Sequence, residues 1–468
     1  MARILLVESG VERPGSFVYQ VYPPTGLMYL AAYLRQKDPG HQLRLRDFLI
    51  ERRPAPALAD EVQNFRPDLI GIHAMSFQAS HLLRLARVAK AARPEAEVIA
   101  GGPHPTIDPA SVLLPGDVDA VVLGEGEATF ADIVSRLAQG QDLAEVPGTV
   151  VRRNRELVRG PERPFLENLD QLPFPAWDLI DPSRYFADRV LNQNDLRWRR
   201  EVATLFTSRA CPYGCIYCHN MFGKRFRPRS PGNVLAEIEL LAAEHGIREF
   251  HFIDDCFNFQ PERAKAILQG ILDRGLDLKL AFPNGIRGDR LDDELLDLMK
   301  RAGTYKINFG IESGSRRIQK LIQKGLDLGV IEDAIARTAA AGIFTHGFFM
   351  LGFPGETEAE MRETIALACR SRLHTAGFAL LSPFPGTRVR QMAEERGIAI
   401  AYRPEDTSYA QLSANLSAVD DAALLRLHRE AHRRFYFRPG QLGRILRAMP
   451  RRSDLFRLAR RHYRLKFV

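Results

Sequence analysis

The sequence predicts an α/β protein built from two successive strand–helix series: a doubly wound, Rossmann-like domain, then a partial (β/α)6 barrel of the TIM type, then a mainly helical C-terminal extension. Three observations carry this reading. Short apolar runs recur through residues 1–150, there without polar alternation, and again through 201–395, spaced to leave room for helices, as buried parallel strands require. Several of these runs end in glycine-rich turns, which open α/β sheets place at the carboxyl edge where ligands bind. A chain of 468 residues also exceeds what one compact core accommodates. The expected division is 1–150 for the first domain, 151–200 for a linker, 201–395 for the barrel and 396–468 for the extension.

In the first domain, Arg3-Ile-Leu-Leu-Val7 reads as a short buried strand. Leu69-Ile-Gly-Ile72, Glu97-Val-Ile-Ala100 and Ala120-Val-Val-Leu123 follow it. Two glycine turns, Gly101-Gly102-Pro103-His104-Pro105-Thr106 and Gly124-Glu125-Gly126-Glu127, lie at adjacent strand ends and suggest a ligand shelf rather than tight turns alone. The linker contains Leu172-Pro-Phe-Pro175-Ala-Trp177, too rich in proline for a regular helix and expected to pack at a domain seam.

Six apolar runs form the second series: Ala203–Phe206, Phe250–Ile253, Leu278–Phe282, Lys306–Phe309, Phe344–Leu351 and Ala376–Leu381. The helix after the first shows Ser230 as N-cap, Pro231 in the first turn and Gly246 as terminator. In a barrel the chemistry lies at the carboxyl ends of the strands. Those ends carry Asp254-Asp255-Cys256, Asn284-Gly-Ile-Arg287, Gly310-Ile-Glu312-Ser313, Gly352-Phe-Pro-Gly-Glu356-Thr357 and Ser382-Pro-Phe-Pro-Gly386. Two adjacent carboxylates suit an ammonium or a hydroxyl pair, Arg287 a carboxylate, and Glu312 a ribose hydroxyl. Helix capping explains each acid equally well when it is taken singly. Recurrence around one barrel mouth strengthens the group. Cys256 reads as a packing residue.

Cys211-Pro-Tyr-Gly-Cys215-Ile-Tyr-Cys218 follows the first barrel strand with the spacing C-x3-C-x2-C. Three thiolates so close can hold three irons of a [4Fe-4S] cube and leave the fourth iron open to a cosubstrate. A zinc site using His219 would crowd four ligands into one tight loop. Covalent haem on Cys215-Ile-Tyr-Cys218-His219 would require export, and the N-terminus shows no export signal. Five cysteines in so long a chain do not suggest a disulfide framework. A reducing cytoplasm is the expected location.

The formal charge is +8. Fourteen Lys/Arg against Glu430 and Asp454 give +12 from Leu424 to Val468, so the remainder carries −4. That tail could meet an anionic substrate or a phospholipid surface as a peripheral contact. Leu442, Ile445, Leu446 and Leu455, Phe456, Leu458 recur at roughly helical spacing, which favours amphipathic helices with solvated arginines. No nucleic-acid signature accompanies the basic residues, and no apolar run of membrane-spanning length occurs.

With these motifs the chain resembles the radical S-adenosylmethionine (radical SAM) enzymes that carry an N-terminal cobalamin-binding domain. The likeness covers roughly residues 1–395 and includes Pro23-Pro-Thr-Gly26 in the first domain. It implies a [4Fe-4S] cluster on Cys211, Cys215 and Cys218, with S-adenosylmethionine on the open iron. Asp254 and Asp255 would lie near its amino group, Glu312 and Ser313 near its ribose, with Arg287 for its carboxylate. Ser76, Gly101, Gly102, His104, Gly124, Glu125 and Gly126 would meet cobalamin. The Asp-x-His-x-x-Gly motif that ligates cobalt elsewhere is absent after the first strand, which reads Glu8-Ser-Gly-Val-Glu-Arg13. That leaves open cobalamin without a histidine ligand or a domain that holds none. His73 and His104 read as loop contacts.

The resemblance implies a methylase that moves a methyl group from methylcobalamin to a substrate carbon radical. The alternatives are a non-methylating radical enzyme (a cyclase, an oxidative enzyme or a C–C bond-forming one) and a non-catalytic cobalamin or redox sensor. A flavodoxin or ferredoxin would donate electrons, and the substrate would be a small or lipid-linked molecule.

Overall fold

The computed structural model describes residues 1–11, 21–51, 53–154, 156–186, 197–401 and 411–449. The described residues up to Phe186 form one compact unit and those from Arg197 onward another.

The first unit is a seven-stranded sheet in the order β2-β1-β3-β4-β5-β6-β7. Its strands are β1 (Arg3–Glu8), β2 (Gln42–Asp47), β3 (Leu69–His73), β4 (Glu97–Gly101), β5 (Ala120–Val122), β6 (Thr149–Arg153) and β7 (Glu156–Arg159). The first five are parallel. The helix Ala79–Ala92 and the helix Pro54–Phe65 bury one face under Leu82, Leu85, Leu58 and Val62. Gly71 keeps the opposite face closely packed: a Cβ there would sit 3.1 Å from the Leu6 and Phe130 side chains, which would have to give way. Chain order reverses between β1 and β3, and doubly wound folds hold their ligands at such a switch point.

The expected linker belongs largely to this unit. β6 and β7 extend the sheet antiparallel, because Thr149, Val150 and Val151 are buried against its edge. The proline-punctuated stretch, expected at a domain seam, lies over the helix Thr25–Lys37 of this unit. Leu169 and Leu172 pack on Tyr29, and Ala176 N–H donates to the Met28 carbonyl at 3.1 Å.

The second unit contains β8 (Val202–Leu205), the two-residue pair β9 (Ser208–Arg209) and β10 (Arg227–Pro228), then β11 (Glu249–Phe252), β12 (Lys279–Ile286), β13 (Thr304–Glu312), β14 (Phe344–Leu351) and β15 (Thr375–Leu380). β8 and β11–β15 form one parallel six-stranded sheet with helices between successive strands, the expected partial barrel. Its helices begin as local chemistry dictates. Ser230 accepts from Asn233 N–H with Pro231 following, and Thr357 forms a reciprocal capping box with Glu360.

Among the described residues, side chains and not a seventh strand cover the edge of β15. Tyr436 Oη donates to the Ala376 carbonyl at 2.8 Å and accepts from its N–H at 3.2 Å. His428 Nε2 lies 2.9 Å from the Phe378 carbonyl. Gln441 Nε2 donates to the carbonyls of Leu373 and His374 at 3.2 and 2.7 Å. These come from the helices Asp421–Tyr436 and Gln441–Ala448, so the described part of the extension is helical as expected. Leu455, Phe456 and Leu458 lie outside the described residues. Among the described residues no helix is long and apolar enough to cross a membrane.

Candidate functional site

The three cysteines lie on the loop that leaves β8 and β9. Ala210, the residue before Cys211, adopts φ +70°, a left-handed conformation that an L-residue holds only when its surroundings enforce it. Asp254 supplies part of that enforcement from the end of β11. Its Oδ1 accepts from Thr207 N–H at 3.1 Å, Thr207 Oγ1 at 2.8 Å and Ser208 Oγ at 2.5 Å. Arg263 Nη2 grips the Thr207 carbonyl at 2.5 Å. Asp254 is buried, and burial pushes its carboxyl pKa up. It therefore braces the approach to Cys211 rather than lining an open mouth with Asp255.

Within the loop, Cys218 N–H donates to the Cys215 carbonyl at 3.1 Å, and Ile216 N–H to the Ile322 carbonyl at 3.2 Å. Cys218 is exposed, while Cys211 and Cys215 are half-buried. A cavity of about 330 Å³ opens on Cys211 and Cys218 and is lined also by Asp255, Pro283, Asn284 and Phe348. Of the two expected carboxylates, Asp255 is the one facing it. Three cysteines on one loop, two of them opening on the same cavity, are a donor set that suits a [4Fe-4S] cluster with one open iron. Cys256, read from the sequence as packing, is buried and hydrogen-bonds to Cys211. That bond, working against burial, brings the Cys211 thiol down to about 6.

Arg287 does not stand as a free carboxylate clamp. Its Nε and Nη2 grip Asp289 at 2.8 and 2.6 Å, and Nη1 and Nη2 donate to the carbonyls of Lys324 and Gly325 at 2.7 and 3.1 Å. Its guanidinium carbon lies 3.9 Å from the centre of the Tyr213 ring. Ser313 is likewise enclosed: its Oγ lies 3.2 Å from Thr364 Oγ1 and accepts from Ser315 N–H at 3.2 Å. Glu312 ends β13 at a register shift with φ +71°, the kind of irregularity that re-aims a side chain beside a site. Its Oε1 accepts from Lys324 Nζ at 2.8 Å, and the same ammonium donates to Tyr217 Oη at 3.3 Å. The sequence reading missed Lys324, because nothing in Gln323-Lys324-Gly325 marks a lysine folding back on a strand end.

In the first unit the predicted turns come together at the ends of β3, β4 and β5. Ala74 N–H donates to the Gly101 carbonyl and His104 N–H to the Ala74 carbonyl, both at 3.1 Å, just before the turn that Ser76 opens. Gly124 N–H donates to Thr106 Oγ1 at 3.1 Å. Glu125 Oε2 accepts from Leu166 N–H at 3.0 Å beside Gly126, where the next helix begins. Gly102 has φ +98°, and a Cβ there would meet the His73 ring at 2.4 Å. The shelf's glycines permit this close packing at the carboxyl edge, where an open α/β sheet holds its ligands.

His104 does not face outward from that shelf. It is buried in the helix Pro103–Ile107, with Nε2 3.2 Å from Ser111 Oγ in the next helix. The sequence reading also missed a buried acid cluster beside the shelf. Glu8 pairs with His73 Nδ1 at 2.7 Å and accepts from Gln78 Nε2 at 3.0 Å. Asp47, next to Glu8 across the ladder, accepts from Tyr185 Oη at 2.8 Å. Burial, then the Glu8 carboxylate, pushes Asp47 up to about 7.

Comparison with known proteins gives the following. Residues 205–368 match the radical SAM superfamily and residues 16–134 the B12 binding domain. An uncharacterized methyltransferase, PH0819, from Pyrococcus horikoshii is 32% identical over 444 residues, covering 93% of each chain. The cytidylyl-2-hydroxyethylphosphonate methyltransferase of Streptomyces wedmorensis is 31% identical over 434 residues, 82% of this chain and 80% of that one. Among solved structures, the radical S-adenosylmethionine methyltransferase TsrM of Kitasatospora setae, with cobalamin and a [4Fe-4S] cluster bound, shares the fold: TM-score 0.73, 20% identity, 95% of this chain and 90% of that one. So does OxsB with aqua-cobalamin and S-adenosylmethionine bound: TM-score 0.76, 16% identity, 99% of this chain and 75% of that one.

Proposed function

The chain belongs to the radical SAM superfamily, in the group that carries a B12-binding domain, and from that premise we propose that it is a cobalamin-dependent C-methylase. The observation that carries the reading is similarity along nearly the whole chain, both domains included, to a protein named as a methyltransferase. When bound, the cluster with S-adenosylmethionine supplies a hydrogen-abstracting radical, and cobalamin supplies a transferable methyl group.

The chain's own residues bind and orient these groups. Cys211, Cys215 and Cys218 hold the cluster, and Asp254 with Arg263 sets the backbone that delivers the first of them. Asp255 and Asn284 give the adjoining cavity a polar lip, whereas Pro283 and Phe348 give it dry walls. Dry walls matter because a reactive radical must be kept from side reactions. Glu312 and Lys324 offer an acceptor and a cation beside the cluster loop. The glycine shelf at the ends of β3–β5 would carry cobalamin, with no histidine presented to cobalt from Asp-x-His-x-x-Gly.

The substrate would be a small or lipid-linked molecule. A low-potential donor such as a flavodoxin or ferredoxin would reduce the cluster in the cytoplasm. The basic extension would serve as a peripheral membrane contact.

Product analysis tests the reading. Anaerobic turnover with strong reductant should yield S-adenosylhomocysteine together with 5′-deoxyadenosine. Deoxyadenosine without S-adenosylhomocysteine would overturn methylation in favour of another radical outcome. Cofactor binding without either product would indicate a sensor.

A further inference from the structure

We propose that the helix Gln441–Ala448 and the turn before it form a lipid-docking face. Phe437, Leu442 and Leu446 enter the interfacial layer of an anionic phospholipid surface, while Arg372, Arg438, Arg444 and Arg447 meet its phosphates. The proposal rests on the reading of the basic extension as a peripheral membrane contact, and it gives that contact a place and a mode. It does not depend on the fate of the radical.

The first observation is apolar. Phe437, Leu442 and Leu446 are 76, 60 and 42% exposed. Exposed apolar side chains scattered singly need no explanation, but three inside the short span 437–446 do. The helix that carries two of them is firmly seated. Gln441 and Ile445 are buried, and Gln441 Nε2 donates to the carbonyls of Leu373 and His374 at 3.2 and 2.7 Å. With those positions turned inward, Leu442 and Leu446 share an outward stripe, one turn apart.

The second is charge. Arg372 and Arg447 are exposed, and among the described residues no carboxylate pairs with them or with Arg438 and Arg444. Arg438 donates to Gln441 Oε1 at 3.1 and 2.7 Å, and Arg444 to the Ser371 carbonyl at 3.4 Å, both neutral acceptors. Burial and then the Arg444 guanidinium push the Arg438 pKa down, and burial and then Arg372 do the same to Arg444. These three guanidiniums therefore crowd one another with no acid to offset them, and Arg447 stands one turn beyond Arg444. On the helix Glu358–Arg370, by contrast, Arg362 holds Glu358 and Glu430, and Arg370 holds Glu332.

The two observations together select the partner. Water would serve the arginines, but not the apolar stripe among them. Soluble phosphate or nucleic acid would neutralise the charge and leave the leucines wet. An anionic membrane surface satisfies both, because its phosphates lie directly above an acyl boundary that receives apolar side chains.

The test is vesicle sedimentation of the full-length chain, reconstituted anaerobically with iron and sulfide. The vesicles are phosphatidylcholine alone, or phosphatidylcholine with about a third phosphatidylglycerol. Wild type should pellet with the mixed vesicles and much less with the neutral ones. Leu442→Ser/Leu446→Ser should weaken that partition by about tenfold or more, and Arg372→Gln/Arg447→Gln by about thirtyfold. Arg372→Lys/Arg447→Lys keeps the charge and should stay within about threefold of wild type. All four side chains are exposed, so iron content and Tm should remain at wild-type values throughout. Wild type that pellets with neither vesicle overturns the membrane reading itself. Wild type that pellets, with both weakening double variants unchanged from it, keeps that reading and overturns this face as its place. Equal pelleting with neutral and mixed vesicles overturns the role given to the arginines. A chain that self-associates with rising concentration, and ceases to in Leu442→Ser/Leu446→Ser, overturns the proposal because the face then belongs to a second copy.

Discussion

Cys256 is a buried thiol that would bear on the proposed cluster site through Cys211 without being one of its proposed ligands. The Cys256 thiol lowers the Cys211 thiol pKa, and withdrawing such an influence from a thiolate proposed to hold a cluster would leave more charge on it and disfavour reduction. Cys256→Ala is expected to lower the cluster midpoint potential in a redox titration at unchanged iron content, and Cys256→Ser to lie between it and wild type. A midpoint potential identical in Cys256→Ala and wild type would deny the bond any electronic weight. The candidate ligands were readable in the sequence, because C-x3-C-x2-C is a local pattern. The residues that tune and support them were not. Asp254 meets Thr207 across 47 positions, and Lys324 meets Tyr217 across 107. Such partners come together only through the fold. The same reason explains the misplaced role of Arg287: the sequence shows an arginine at a strand end but not the carbonyls that occupy it.

Among the elements, the strands were legible and the edges were not. Each barrel strand announced itself as a short run rich in apolar residues, since most of its side chains are covered. The antiparallel addition of β6 and β7 was hidden by their charged ends, Arg152-Arg153 and Glu156. The cover of β15 was hidden for another reason: it is made by side chains from helices about fifty to seventy residues further along, and no periodicity encodes that. Tyr436→Phe removes both the donor and the acceptor that serve Ala376. It should destabilise the chain by about 1–3 kcal/mol in denaturant unfolding. Hydrogen exchange should rise at Ala376 and at no other strand of that sheet. Exchange unchanged at Ala376 would mean that water replaces the phenol without cost.

For the whole molecule, the buried acids give folding a definite pH dependence. Asp47 and Glu356 are each raised to about 7, Asp47 by burial and the nearby Glu8, Glu356 by burial despite accepting from Gly352 and Phe353 N–H. A carboxyl with a raised folded-state pKa binds its proton more tightly in the folded chain. Its contribution is therefore fully present below the unfolded value near 4 and is lost as pH rises through about 7. Thermal unfolding of the cofactor-free chain should show a higher Tm at pH 6 than at pH 8, and Asp47→Asn should flatten that slope. A Tm that climbs between those values would contradict the assignment for both acids. The two units differ in how far they could be read ahead. The cysteine loop made the second specific from a dozen residues, whereas the first rests on glycine turns shared by many folds, and its acid cluster draws on β1, β2, β3 and the distant Tyr185.

The covering of β15 bears on how this barrel can vary. A wall finished by a further strand is a matter of topology, alterable only by insertion or deletion. Here the last wall is specified by His428, Tyr436 and Gln441, three residues on two helices. Its tightness is therefore set by point substitution, and a lineage could widen or narrow that side of the barrel one side chain at a time while keeping all six strands.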